Sequence, residues 1–309
     1  METAATSLRF VVIGAGRLGA GLALALRKRG ADLLGYTANS PAGRARAETW
    51  LGGRATTDPD LLVSGAPQLY VVAVPDGAIS EVAGQLAELI RHAAGATAPF
   101  VAHTSGATSV NVLRPCEEAG ASTLVFHPLQ TFSEPVTGSE RFAGAAVAVT
   151  PSDTQDGAPA LAFGCALAEA LGAYPFLLPD HKRSLYHAAA SLACNYLVTL
   201  EHHAEQLFVK AGLPADRASS LFLPLVRATL ENLAEQGSVA ALTGPLSRGD
   251  TRTIAGHLAA LLAEAPHLLP VYQALGRATL PLIEARGELD RESITAMEEL
   301  LHSPPSDPA

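Results

Sequence analysis

Apolar residues in the first 179 positions come in short unbroken runs, separated by stretches where they recur every three or four residues. LRFVVIGAG, ADLLGYT, PQLYVVAVP, PFVAH, STLVFHPLQ, AGAAVAVTP and YPFLLP are runs of the first kind. An apolar run without polar alternation marks a strand covered on both faces. RLGAGLALALRKRG, AGRARAETWL, AISEVAGQLAELIRHA, VNVLRPCEEAG and GAPALAFGCALAEALGA have helical spacing, and RATTDPDLLV leads into a further helix. The first of these helices closes on Gly30, a residue suited to a left-handed helix end. Strands alternating with helices predict an α/β domain with a doubly wound, mostly parallel sheet. Right-handed crossovers then bring the strand ends after Ile13, Leu34, Val74, Ala102 and Phe126 to one edge.

The pattern changes after Pro179. HKRSLYHAAASLACNYLVTLEHHAEQLFVKAG reads as one long helix ending at Gly212. Four more helical stretches follow, punctuated by Pro214, Pro245 and Pro266 in the loops. The spacing therefore predicts a Rossmann dinucleotide-binding domain over 8–179 and an all-helical domain over 180–303. The Pro/Ser-rich tail, 304–309, is expected to be disordered.

Composition narrows the function classes. Of 309 residues, 48% are hydrophobic and 17% charged, as in a folded protein. The formal net charge of −9, with no basic stripe, argues against nucleic-acid binding. METAATSLRF lacks the basic and apolar regions of a signal peptide, and no segment has the apolar length of a membrane helix. Cys116, Cys165 and Cys194 are far apart and form no C-x-x-C, which suits packing residues in a reducing compartment. A cytoplasmic protein without a metal site or a membrane partner is expected.

Gly14-Ala15-Gly16-Arg17-Leu18-Gly19 is G-x-G-x-x-G, set between a strand and a helix. That context makes it a dinucleotide fingerprint. Gly14 permits the tight turn, Gly16 lets a pyrophosphate approach the backbone, and Gly19 lets the helix lie close on the strand. NAD-binding folds place an Asp or Glu at the end of the second strand for the ribose hydroxyls. Here that stretch is Gly35-Tyr36-Thr37-Ala38-Asn39-Ser40, followed by Arg44 and Arg46. Hydroxyl, amide and guanidinium groups without a carboxylate favour the 2′-phosphate of NADP over NAD. Thr37, Asn39, Ser40 and Arg44 join the glycine turn as candidate cofactor contacts, together with Val74 and Pro75 at the third strand end.

Two other strand ends carry histidines, His103-Thr104-Ser105-Gly106 and His127-Pro128-Leu129-Gln130. A strand-end histidine is placed for chemistry, as proton donor or as orienter of one. Asp76 suits a helix cap. On the long helix His187, Ser191 and Asn195 are four apart and share a face. This polar stripe needs partners, from substrate or from neighbouring helices. His202-His203 has no acid or cysteine spaced to complete a metal site. In Thr243-Gly244-Pro245-Leu246-Ser247-Arg248-Gly249-Asp250, Arg248 can clamp a substrate anion, while Asp250 suits either a helix N-cap or a substrate contact.

GAGRLG, VPDGAI, HTSGA, FHPLQTF, YHAAASLACNYL and GPLSRGDTRTIAGHL, in that order, resemble a family of largely uncharacterised bacterial proteins. In these a Rossmann-like NADP-binding domain precedes a helical domain of unknown function. The wider relatives are the 6-phosphogluconate dehydrogenase-like enzymes, among them pyrroline-carboxylate, ketopantoate and prephenate reductases or dehydrogenases. The resemblance implies a helical domain of that type, a homodimer built through it, and substrate held between the domains. Hydroxyacid dehydrogenases of that superfamily use a lysine four residues before an asparagine. Asn195 matches the asparagine, but the earlier position is Ser191, which leaves His103, His127 and His187 as the candidate acids.

The expected function is therefore transfer of hydride between NADPH and a small carbonyl or imine. A histidine titrating near neutrality would be the acid, Asn195, Ser105 and Ser191 would orient the substrate, and Arg248 would bind its anion. Two rivals remain open: a deazaflavin as the hydride partner, and a non-catalytic NADP-binding sensor or partner subunit.

Overall fold

The computed structural model describes residues 7–56, 62–92, 98–153 and 157–302. The tail at 304–309 lies outside them. The chain divides into two compact units, Met1–Asn195 and Tyr196–Ala309.

In the first unit β1 (Arg9–Ile13), β2 (Asp32–Thr37), β3 (Leu69–Val72), β4 (Phe100–His103), β5 (Ser122–Pro128), β6 (Ala146–Pro151) and β7 (Tyr174–Leu177) form a seven-stranded sheet. Its order is β2-β1-β3-β4-β5-β6-β7. Strands β2 to β5 are parallel, and β2 runs on to Thr37, past Leu34. β6 is antiparallel to β5, and β7 is parallel to β6. Parallel strands are usually joined by a full crossover helix, whereas the link from β5 to β6 holds only the short α5 (Pro135–Gly138).

Among the described residues, helices α1 (Arg17–Lys28), α2 (Pro41–Leu51), α3 (Ile79–His92), α4 (Arg114–Glu118), α6 (Ala158–Ala170) and α7 (Arg183–Ala190) belong to the same unit. Strand residues alternate between two cores. Phe10, Val12, Val71, Leu124, Phe126 and Val149 face α1, α2 and α6 through Leu22, Leu26, Ala47 and Leu167. Val11, Ile13, Val72 and Val101 face α3 through Ile79, Ala83 and Leu86. Each large side chain so buried contributes about 1.5–3 kcal/mol, so the central strands are rigid supports for the loops at their ends.

The compact units divide after Asn195, sixteen residues beyond the change of pattern at Pro179. The helix expected from 181 to 212 opens with a 3₁₀ turn (Asp180–Lys182) and runs without a gap through α7, a π segment (Ser191–Asn195) and α8 (Tyr196–Lys210). α7 stays with the sheet because Arg183 is buried against the loop after β4. The second unit contains α8, α9 (Ala218–Ala241), α10 (Thr251–Glu264), α11 (Leu269–Arg286) and α12 (Arg291–His302). Ile254, Leu258 and Leu261 of α10, three and four apart, pack with Ile283 of α11 and Met297 and Leu301 of α12.

Candidate active site

The glycine turn leaves β1 with Gly14 at φ +95, where a Cβ would stand 2.6 Å from the carbonyl oxygen of Ala73. A Cβ on Gly19 would collide with the Gly14 carbonyl, whereas one on Gly16 would meet nothing within 4 Å. Gly14 and Gly19 are thus glycines for packing, and Gly16 stands open at the N-terminus of α1, where unpaired N–H groups favour an anion. Thr37 fastens the turn to β2: its Oγ1 accepts from Gly14 N at 3.1 Å, and its carbonyl accepts from Ala15 N at 2.7 Å.

A cavity of about 680 Å³ is lined by Gly14, Ala15, Gly16 and Arg17, by Asn39, Ser40 and Arg46, and by Val74 and Pro75. A second, of about 610 Å³, takes Thr37, Asn39 and Arg44 with the apolar Leu62, Val82 and Leu89. A pyrophosphate at the turn and a flat apolar base in the second cavity fit these linings, so the residues present suit a dinucleotide. Leu18 is half-buried on α1 and is not among the lining residues. Ser40 caps α2 by accepting from Gly43 N at 3.0 Å. Arg44 donates to the carbonyl of Asn39 at 3.2 Å, which holds its guanidinium over the loop after β2.

β4 and β5 end beside each other, His103 pairing with Val125 two residues before His127. At about 4.8 Å per strand, three steps carry the edge roughly 14 Å from the glycine turn to His127. His103 is fully buried. Its Nδ1 accepts from Ser105 N at 3.2 Å, and its Nε2 lies 3.3 Å from the Ser109 carbonyl. Both ring nitrogens are thus used by the chain itself, so His103 folds the loop after β4. Ser105 is also turned inward: its Oγ accepts from Thr108 N at 3.0 Å and donates to Thr108 Oγ1 at 2.9 Å.

His127 is different. Its Nδ1 lies 2.8 Å from the phenolic oxygen of Tyr186, and Nε2 has no hydrogen-bond partner among the described residues. The His187 ring stands nearly perpendicular to it at 6.3 Å between centroids. His187 Nδ1 is buried without a partner. Both rings press on Gly106, where a Cβ would lie 2.5 Å from His187 Nδ1 and 2.9 Å from His127 Nε2. Burial, then the Arg183 charge, pushes the pKa of both His103 and His127 down to about 4. The expectation of a histidine titrating near neutrality therefore does not hold for these two, because the sheet edge desolvates them beside a cation.

That cation was not foreseen. Arg183 donates through Nε to the Thr108 carbonyl at 2.8 Å, through one terminal nitrogen to Thr150 Oγ1 at 3.0 Å, and through the other to the Ser105 carbonyl. Asp180 accepts from Ser109 Oγ at 2.6 Å and from Val110 N at 2.9 Å. Arg183 and Asp180 lie outside every motif quoted above, and Tyr186 opens YHAAASLACNYL without being singled out as a site residue. The available signal was their position in the first turns after Pro179, read instead as the start of another domain.

The remaining candidates are scattered. Ser191 and Asn195 fall on the π segment, Ser191 half-buried and Asn195 exposed. Its wider turn breaks the even four-residue stripe with His187. Asp76 opens a 3₁₀ turn, and the residue in the cap position is Pro75. Arg248 and Asp250 belong to the second unit. Asp250 is the N-cap of α10, accepting from Thr253 N at 3.0 Å and Thr253 Oγ1 at 2.7 Å, and these bonds hold its carboxyl below the usual range. Arg248 is exposed. Among the described residues no group of three His, Cys, Asp or Glu side chains is placed to hold a metal, and no helix is long and apolar enough to cross a membrane.

Fold and site together define a Rossmann-type dinucleotide-binding architecture followed by a helical domain. Comparison with known proteins agrees. A Rossmann-like domain profile matches residues 2–128, and that of DUF2520, a domain of unknown function, matches residues 154–279. The chain thus carries a Rossmann-like domain followed by a DUF2520 helical domain. It is similar to a Bacteroides fragilis protein provisionally named an NADP oxidoreductase, with 28% identity, TM-score 0.67, and 92% of this chain and 99% of that one covered. A Thermotoga maritima protein shares 22% identity at TM-score 0.64, covering 90% of this chain and 100% of that one. Pyrroline-5-carboxylate reductase from Coxiella burnetii shares the fold at 16% identity and TM-score 0.57, covering 96% and 99%. No functionally curated protein matches the sequence.

Proposed function

We propose that the protein is an NADP-dependent oxidoreductase that reduces a small carbonyl or imine. The observation that carries this reading is the shared sheet edge: an open glycine turn at the end of β1, and a histidine with a free ring nitrogen at the end of β5. NADPH, when bound, supplies hydride from its nicotinamide. Gly14–Arg17 would hold the pyrophosphate, and Ser40, Arg44 and Arg46 would receive the 2′-phosphate. His127 is the group of this chain that meets the substrate heteroatom, through Nε2. Gly106 packs against that Nε2 edge, and the His187 ring stands nearly perpendicular to the imidazole.

The test is direct. NADPH and NADH are titrated by fluorescence, and NADPH oxidation is followed with a panel of aldehydes, 2-oxo acids and cyclic imines. The reading requires tighter NADPH binding and turnover of at least one panel member, lost in His127→Ala. Binding without turnover on any member would favour a sensor, and oxidation only with added deazaflavin would move the hydride partner. The resemblance to dimeric families extends the proposal to a homodimer through the helical unit, where Val198, Leu225 and Leu233 are 69%, 64% and 45% exposed. So much exposed apolar surface along α8 and α9 suits an interface.

A further inference from the structure

Tyr186 precedes His187 on α7, yet its phenol reaches the other histidine of the site. Its oxygen lies 2.8 Å from His127 Nδ1, with the two rings perpendicular at 5.4 Å between centroids. Phe176 of β7 packs its ring against Tyr186 at 6.0 Å, so the phenol is held from the sheet side as well. The direction of this bond decides the chemistry. Among the described residues Nδ1 is the hydrogen-bond partner of the phenol. Were the proton on Nδ1, the half-buried phenolic hydrogen would have no acceptor among the described residues. With O–H donating, Nδ1 keeps its lone pair and the ring proton sits on Nε2. Nε2 lies against Gly106 and has no protein partner among the described residues.

We propose that Tyr186 is the positioning residue of this site: it locks His127 as the neutral tautomer protonated on Nε2, and that N–H is what a carbonyl or imine ligand meets. The ligand class rests on the reductase reading; the tautomer does not. The groups bearing on His127 are Arg183 and His187 on α7 and Asp76 after β3, with burial the largest influence. Burial and Arg183 both keep the ring uncharged. A neutral imidazole cannot simply give up its proton, since imidazolate is too basic. The phenol removes that obstacle. As Nε2 passes its proton to the ligand oxygen or nitrogen, Nδ1 takes the phenolic proton; a solvent proton then returns to Nε2 while Nδ1 gives its proton back to the phenolate, which restores the starting tautomer. Burial raises the Tyr186 pKa to about 12, so the phenol is protonated at neutral pH, while the Arg183 charge favours the transient phenolate.

The experiment uses the full chain labelled with ¹⁵N-histidine. Long-range ¹H–¹⁵N correlation spectra distinguish the two tautomers and the imidazolium, and loss of one signal set in His127→Gln assigns the residue. The expected result is a pyridine-type Nδ1 and a pyrrole-type Nε2 throughout about pH 5–8. Tyr186→Phe should convert this to a mixture of tautomers, with NADPH titration unchanged. An imidazolium at neutral pH, a proton on Nδ1 in the unaltered protein, or unchanged spectra in Tyr186→Phe would each overturn the proposal. If Tyr186→Phe does not fold, the spectrum of the unaltered protein decides alone. If NADPH fails to bind while the tautomer is as expected, the reductase reading falls and the assignment of Tyr186 stands.

Discussion

Gly106 is wedged against His187: a Cβ at that position would stand 2.5 Å from the Nδ1 atom of His187. His127 closes the same position from another side, so neither ring can retreat without disturbing its neighbour. Gly106→Ala must therefore move two imidazoles for one methyl group. The overpacking should cost about 1–3 kcal/mol of stability, and displacement of the reacting group should lower kcat by at least about tenfold. Denaturant midpoints and NADPH-linked turnover measure the two effects separately. Unaltered turnover would show that the rings are not held by this contact.

Arg183 joins α7 to the loop after β4 through three acceptors, two of them backbone carbonyls. Arg183→Met removes the charge and leaves the acceptors buried without donors. The loss should be about 3 kcal/mol or more, read from urea unfolding of the full chain. Arg183→Lys should recover little, because one ammonium cannot span acceptors lying in three directions. A fully rescued lysine variant would mean that the charge alone matters.

The alternating apolar runs made the sheet legible, and the glycine turn was legible because its spacing is itself the physical requirement. The histidine cluster was only half legible. His127 could be placed at a strand end from FHPLQTF, but the element that completes it arrives about sixty residues later, on a helix whose own periodicity assigns it elsewhere. A π segment leaves no mark in the hydrophobic pattern, so the widened turn at Ser191–Asn195 was invisible. For His103 the sequence left two roles open, proton donor or orienter. Its strand-end position suits either, and the contacts of its ring nitrogens with Ser105 and Ser109 tie it to the loop after β4.

The two histidines held near pKa 4 couple stability to pH. In the unfolded chain each takes up its proton near pH 6.5. Between these values the unfolded state binds more protons, so stability rises with pH across the window. It should be fully present above about pH 6.5 and fall progressively toward pH 4, by up to about 3 kcal/mol per histidine. Urea midpoints from pH 7 down to pH 4 test this. His103→Gln and His127→Gln should each flatten the slope, and an unchanged slope in both would assign the acid sensitivity to other groups.

Cofactor choice turns on the residues after β2. Arg46 shares the larger cavity with the glycine turn, whereas Arg44 faces the other cavity with its guanidinium already bonded to the Asn39 carbonyl. Arg46 is thus the freer cation for a phosphate beside Ser40. Arg46→Ala should raise the Kd for NADPH about tenfold, the worth of one charge-assisted contact, and leave that for NADH unchanged. Arg44→Ala should act more weakly, since that guanidinium must give up its backbone bond to reach a phosphate. Fluorescence titration of both variants with both nucleotides provides the comparison. Equal losses for NADPH and NADH would show that these arginines support the loop and do not read the phosphate.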